Sequence, residues 1–196
     1  MKILTGQFRG KTIRFKSNPY LRPTADKARK AIFDMLQGAM QGKRVLDLFG
    51  GTGALGLEAL SNGALFAVFV ENNKNQAAVI RENLKMLGVE KSAQVLAQDA
   101  LESLSSLYQK GEVYDFIFLD PPYEGGLGFK AMEALARLPV WNSGGLIFYE
   151  CRDKEPDWER IGELKLFRSK TYGDTKILVY SAAPFRQKAR RIRCDL

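Results

Sequence analysis

The amino-acid sequence predicts an α/β protein built on a mostly parallel sheet. Three observations carry that expectation. From Arg44 onward, short apolar runs alternate with segments of helical period, the pattern of a parallel sheet covered on both sides. The stretch from Val45 to Leu60 passes from an apolar run through Gly50, Gly51 and Gly53 into a helical pattern, which reads as strand, tight turn and helix. The last two apolar runs flank Lys170-Thr-Tyr-Gly-Asp-Thr175, a turn sequence that predicts an antiparallel hairpin.

Taken in order, residues 1–16 alternate apolar and basic side chains around Gly10. They predict a small β-hairpin with Ile13 and Phe15 on one face and Arg14 and Lys16 on the other. Asn18-Pro19 breaks it. A helix is predicted from about Thr24 to Met40, with Thr24 as N-cap and Ala28, Ala31, Ile32, Met35 and Leu36 as its buried stripe. Strands are expected at 44–49, 65–70, 93–97, 114–119, 144–150, 164–171 and 175–181, a seven-stranded sheet. Helices are expected at 53–62, 73–87, 99–109, 127–137 and roughly 156–162. Residues 185–196 have no period and read as a tail. The chain thus divides into a basic N-terminal extension (1–42), a ligand-binding catalytic domain (43–183) and a basic tail (184–196).

Composition narrows the function classes. A chain of 196 residues with 45% hydrophobic content is long enough for one domain with a buried core. No run approaches 18 apolar residues and no signal-peptide pattern opens the chain, so no membrane span and a cytoplasmic location are expected. Histidine is absent and the two cysteines, Cys151 and Cys194, have no metal-ligand spacing, which argues against zinc and against a disulfide scaffold. The net charge of +8 is unevenly placed. Residues 1–44 hold 11 Lys/Arg and 2 Asp/Glu, a net of +9; residues 186–196 hold 5 and 1, a net of +4; the remaining 45–185 hold 14 and 19, a net of −5. An acidic body with basic ends points to a polyanion gripped by those ends. A monomer is the default expectation.

In an open parallel sheet, ligands bind beyond the carboxyl ends of the strands. Four acids fall at such ends: Asp47, Glu71, Asp99 and Asp120. Gly51-x-Gly53-x-x-Gly56, with Glu71 20 residues past Gly51, matches the dinucleotide fingerprint and does not by itself separate NAD from S-adenosylmethionine. Asp47 favours the second, because a carboxylate beside the glycines repels a pyrophosphate and suits an amino group and a sulfonium. Glu71 can accept two ribose hydroxyls. Asp99 can accept an adenine amino group while the Ala100 N–H donates to the ring, or can simply cap the following helix. Asp120-Pro121-Pro122-Tyr123 follows an apolar strand. Its two prolines fix a turn that exposes the Asp120 carboxylate and the Pro121 carbonyl as acceptors, and Tyr123 offers a flat face on which a base can stack. Two acceptors on an exocyclic amine can turn its lone pair toward a methyl donor.

Asp47-x-Phe-Gly-Gly-Thr-Gly53 followed by Asp120-Pro-Pro-Tyr123 resembles the class I S-adenosylmethionine-dependent methyltransferases acting on amino nitrogens. With Arg22-Pro-Thr-x-Asp26 and Tyr172-Gly-Asp-Thr175, the chain resembles, over about residues 2–181, the bacterial 16S ribosomal RNA guanine-N2 methyltransferases, the ribosomal small-subunit methyltransferase D family. The resemblance implies a Rossmann-like class I sheet of seven strands and S-adenosylmethionine as cofactor, with no metal. It implies a guanine in 16S ribosomal RNA or the small ribosomal subunit as target. It assigns Asp47, Gly51, Gly53, Glu71, Asn72, Asp99 and Ala100 to the cofactor and Asp120, Pro121 and Tyr123 to the target amine. Arg9, Lys11, Arg14, Arg22, Thr24 and Lys27 are then expected near the RNA. Gly50 stands where many members carry alanine, and the tail from Arg186 runs past the usual end. The same Asp-Pro-Pro-Tyr signature belongs to DNA adenine-N6 methyltransferases, but the chain has no room for a separate sequence-reading domain. A non-catalytic RNA-binding assembly factor is the other alternative.

Overall fold

The computed structural model describes residues 1–15, 23–123 and 125–181, with the side chains of 23–25 excluded. Its elements are α1 (Pro23–Met35), β1 (Arg44–Asp47), α2 (Ala54–Ser61), β2 (Phe66–Val70), α3 (Lys74–Leu87), β3 (Ala93–Leu96), α4 (Ala100–Gln109), β4 (Tyr114–Leu119), α5 (Leu127–Arg137), β5 (Trp141–Arg152), β6 (Arg160–Ile161), β7 (Leu164–Tyr172) and β8 (Thr175–Ser181). One sheet runs in the order β3-β2-β1-β4-β5-β8-β7-β6. The first five strands are parallel, and β8, β7 and β6 add antiparallel pairs beyond β5. From β1 the chain winds outward to β3, then crosses back to lay β4 on the other side of β1. That reversal opens a crevice above the carboxyl ends of β1 and β4.

Period-two alternation sends strand residues to opposite faces. Val45, Phe69, Phe118 and Phe148 pack in one apolar layer with α1, α2 and α3, while Leu46, Val68, Ile117 and Ile147 pack with α4 and α5. The first layer is tied together by rings: Phe33 of α1 lies 5.7 Å from Phe118, and Phe118 lies 5.5 Å from Phe148. The five apolar residues expected to face inward from α1 are all buried.

The N-terminal segment shares that layer, since Ile3 and Ile13 are buried in it. Its backbone is held by polar groups of α2. The carboxylate of Glu58, itself buried, accepts from the N–H groups of Leu4 and Thr5 (3.1 Å for Thr5) and from the Thr5 hydroxyl (2.8 Å). Gln7 N–H donates to Ser61 O at 2.8 Å, and a Cβ on Gly6 would stand 2.1 Å from that same oxygen. Only glycine, at φ 73°, fits there.

These contacts correct the expected hairpin. Residues 1–15 do fold back, with Ile3 N–H to Lys11 O at 3.0 Å and a Lys2–Thr12 antiparallel bridge, but no ladder forms. The backbone that would have formed it is captured by Glu58 and Ser61. Beyond it, Asn83 stands in for a neighbouring strand, accepting from Arg14 N–H at 2.8 Å and donating to Arg14 O at 2.9 Å. Ile13 is buried as expected, whereas Phe15 is exposed. α1 begins at Pro23, so Thr24 lies inside the helix rather than capping it, and the helix ends at Met35, a turn before the expected Met40. Gly38, at φ 78°, turns the chain there. Residues 156–162 form no helix. Trp158 stacks on Phe129 at 4.5 Å, its carbonyl accepts from the Tyr180 hydroxyl at 3.0 Å, and Arg160–Ile161 join the sheet as an eighth, edge strand. The Lys170–Thr175 turn closes β7 on β8 as expected, with Tyr172 paired to Thr175.

Replacing Glu58 by Ala removes three accepted hydrogen bonds and leaves Arg29, 3.5 Å away, without its buried counter-charge. The expected result is a loss of about 3 kcal/mol, read as a lower midpoint in urea unfolding.

Candidate active site

The crevice is a cleft of about 550 Å³ floored by the carboxyl ends of the central strands. Its first wall is the glycine turn between β1 and α2. Gly50 N–H donates to Val70 O at 2.7 Å and Gly53 N–H to Gly50 O at 2.6 Å, which folds the turn back over β2. Gly51 and Gly53 both hold positive φ, 52° and 80°, conformations that favour glycine. Gly51 faces the cleft; Gly53 is instead packed on Ile80, so the structure puts it beneath the turn rather than on the wall. A Cβ on Gly50 would come within 3.0 Å of Ile80 Cδ1, so alanine there requires that side chain to give way. At Gly56 a Cβ would meet the Phe69 ring at 2.2 Å, which explains the third glycine by helix–sheet packing.

A row of acids crosses the floor, and the register shows why. Asp47 is level with Phe69 and Phe118, and Phe118 is level with Phe148. Two residues further along β2, β4 and β5, on the same face by alternation, come Glu71, Asp120 and Glu150. The apolar layer under α1, α2 and α3 therefore ends in a line of carboxyls at the mouth of the cleft. Asp47 Oδ2 accepts from Gly56 N–H at 3.0 Å, while Oδ1 is buried and meets no donor among the described residues. Burial pushes its carboxyl up to about 8, the Gly56 N–H opposes that, and the charges of Asp120 and Glu71 add to it.

Glu71 braces the turn, accepting from Gly51 N–H through Oε2 and from Asn73 N–H through Oε1, each at 2.7 Å. Each oxygen keeps a second lone pair. Asp99 caps α4, its Oδ1 accepting from Leu101 N–H (2.8 Å) and Glu102 N–H (3.2 Å). Asp99, Ala100 and Asn72 all line the same cleft. Opposite stand Asp120, Pro121 and Tyr123. Asp120 is open to water through the cleft mouth yet ringed by its walls, and that enclosure raises its carboxyl to about 6.

Sequence reasoning missed Glu150, Arg29 and Arg152, which line the cleft as well. Glu150 was within reach: it closes the expected strand 144–150, an acid at a carboxyl end as Asp120 is just past 114–119. Arg29 was not, because it belongs to the buried side of α1, where it donates to Asp26 (2.9 Å) and to Lys2 O (3.1 Å). The guanidinium of Arg152 lies 5.0 Å from the Tyr123 ring centre, over its face. The expected RNA contacts are placed elsewhere. Arg9, Lys11, Arg14 and Lys27 are exposed and outside the cleft wall, Arg14 paired with Glu82 at 3.0 Å and Lys11 set over the Phe8 ring at 5.1 Å. Arg22, the Thr24 side chain and the basic tail from Arg186 lie outside the described residues.

Comparison with known proteins gives a consistent set. The family described as conserved hypothetical protein 95 matches residues 1–181. A Bacillus subtilis protein named putative rRNA methyltransferase YlbH is 33% identical over 92% of this chain and 98% of its own. The protein named ribosomal RNA small subunit methyltransferase D of Buchnera aphidicola (from Acyrthosiphon pisum) is 33% identical over 78% of each chain. Among solved structures, the putative methyltransferase yhhF from Escherichia coli superposes with a TM-score of 0.80 at 30% identity, covering 92% of this chain and 96% of that one. The fold is that of the class I methyltransferases.

The carboxyl of Asp47 makes the free protein sensitive to pH in a predictable direction. Its value in the folded chain, about 8, stands above its ordinary 3.8. The folded state thus binds the proton more tightly than the unfolded state, and stability falls as pH rises from about 4 through 8. Asp47→Asn keeps an acceptor for Gly56 N–H and carries no charge. It is expected to melt above the wild type at pH 9, with the difference shrinking toward pH 5 in paired thermal scans.

Proposed function

The chain belongs to the conserved hypothetical protein 95 family, together with proteins named ribosomal RNA small subunit methyltransferase D, and we propose that it is an S-adenosylmethionine-dependent methyltransferase acting on the N2 amine of a guanine in 16S ribosomal RNA. The observation that carries the reading is the pairing, across one cleft, of the buried Asp47 carboxyl, whose Oδ1 meets no donor among the described residues, with the Asp120-Pro121-Pro122-Tyr123 turn.

The residues present fit the cofactor. Asp47 Oδ1 is buried with no donor among the described residues, so an amino group or a positive sulfur beside it favours the ionised carboxyl, and the acidic floor disfavours a pyrophosphate. Gly51 presents no side chain to the cleft, Glu71 offers lone pairs to two hydroxyls, and Asp99 with the Ala100 N–H can hold an adenine edge. When bound, S-adenosylmethionine supplies an electrophilic methyl group on a sulfonium.

The chain supplies orientation and a proton acceptor. Asp120 and the Pro121 carbonyl accept the two amine hydrogens, which aims the nitrogen lone pair away from the ring. Transfer would exchange the sulfur–methyl bond for a nitrogen–methyl bond and leave a neutral thioether, and the proton the nitrogen then sheds passes to the Asp120 carboxylate. The Tyr123 face stacks the base once it has left its helix or loop. The basic N-terminal segment carries Arg9, Lys11, Arg14 and Lys27 for phosphate contacts, supporting an RNA partner whose binding weakens with salt.

The test is transfer of labelled methyl from S-adenosylmethionine to unmodified 16S RNA, assembled small subunits and duplex DNA, followed by digestion to nucleosides. Label in N2-methylguanosine is expected from RNA or subunits; label in N6-methyladenine from DNA would replace this reading. Asp120→Asn is expected to lower kcat by roughly 10²- to 10⁴-fold. An unreduced rate in that variant would remove Asp120 from the reaction.

A further inference from the structure

Glu150 is a buried acid with no part in the reaction as described. It is 6% exposed, it lines the cleft, and among the described residues no hydrogen bond reaches its carboxyl. The last register pair of β4 and β5 is Leu119 with Tyr149, so Asp120, the first residue past β4, follows next to Glu150 of β5. Parallel neighbours lie about 4.8 Å apart. Phe118 and Phe148, the same-face residues just before them, have ring centres 5.5 Å apart, which shows how closely that face packs.

The cations near the two carboxyls are engaged elsewhere: Arg152, two residues on along the same face of β5, lies over the Tyr123 ring. From α1 the nearby positive group is Arg29, already committed to Asp26, Lys2 O and Glu58. β1 presents Asp47 on the same face, another acid. β8 presents Ile177 opposite Glu150, and the neighbouring Cys151 is neutral, its thiol pushed up to about 12 by burial. Burial and the charge of Asp120 drive the Glu150 carboxyl well above its ordinary range, with Arg29 opposing, and enclosure lifts Asp120 less far. Two carboxyls at neighbouring positions, Glu150 buried and Asp120 walled by the cleft, do not both ionise readily.

Resting on the reading of Asp120 as the amine acceptor, we propose that Glu150 is a positioning residue for Asp120: the pair holds one proton at neutral pH, with the Glu150 hydroxyl donating to one oxygen of the Asp120 carboxylate. The other oxygen is then left to face the target amine. During transfer the amine proton moves to Asp120, and the now neutral pair returns one proton to water in the cleft. When Glu150 ionises at high pH, the pair carries two negative charges, the donated hydrogen bond is lost, and transfer slows. The rate therefore has an acid limb from Asp120 and an alkaline limb from Glu150.

The decisive experiment follows carboxyl carbons by NMR in the full-length free protein, labelled at Asp and Glu, for wild type, Glu150→Gln and Asp120→Asn. The Asp120 signal is expected to shift in two steps in the wild type and in one step in Glu150→Gln. Glu150 is expected to titrate at lower pH in Asp120→Asn. A single, identical Asp120 step in wild type and Glu150→Gln would overturn the proposal. Single-turnover rates at saturating S-adenosylmethionine, with unmodified small subunits, give the second readout. Glu150→Ala should lose at least about tenfold, while Glu150→Gln, which keeps an N–H donor, should recover most of that and lose the alkaline limb. An undiminished Glu150→Ala rate, or an alkaline limb that survives in Glu150→Gln, also overturns it. Full-rate transfer by Asp120→Asn would instead defeat the amine-acceptor reading, and the NMR titration would still judge the carboxyl pair.

Discussion

A buried carboxyl group with one oxygen committed to a backbone amide, and the other without a donor among the described residues, stands where β1 hands over to α2. Asp47 Oδ2 takes the Gly56 N–H inside the first turn of the helix, which ties strand to helix through the glycine turn. Its Oδ1 is buried beside two further acids. Such an arrangement is unfavourable in the free chain, and the fold tolerates it because the sheet beneath is fully packed. The constraint explains why the cleft wants a ligand with donors and positive charge.

The rest of the site follows from period-two alternation meeting the end of a sheet. Each of β2, β4 and β5 carries a phenylalanine into the layer beneath α1, α2 and α3, and each offers an acid two residues later. The apolar residues fix the strands to their register, and the register fixes the spacing of the carboxyls. Packing energy is thereby converted into the position of charged groups, with no loop needed to aim them. The Pro121-Pro122 turn extends the same logic past β4, holding a carbonyl and an aromatic face beside the last acid.

The N-terminal residues enter through a different device. Glu58 and Ser61 on α2 and Asn83 on α3 present side-chain oxygens and nitrogens to a backbone that makes no ladder of its own. Arg29 joins this anchor to the cleft: it lies 3.5 Å from Glu58 and lines the same wall as Glu150. The basic segment that carries Arg9, Lys11 and Arg14 is therefore fixed to the body that holds the cleft, which suits the polyanion contacts proposed for it.

The alternation of runs in the sequence was enough for the parallel sheet, the glycine turn and the acids at 47, 71, 99 and 120, because each is a local pattern of two to six residues. The turn at Lys170–Thr175 was legible for the same reason. The hairpin at the N-terminus and the helix at 156–162 were not: their backbones bond to Glu58, Ser61 and Tyr180, partners 20 to 50 or more residues away that no local window contains. Glu150 was one more strand residue until the register set it next to Asp120, and no local pattern marks Arg29 as part of the cleft before α1 is laid over the sheet. What the sequence determined by itself was the kind of site, since residue types at strand ends dictate that chemistry. Which acids come to neighbouring positions, which of them is buried, and which arginine closes the wall were decided by tertiary packing, because distance between strands does not exist until the register is formed.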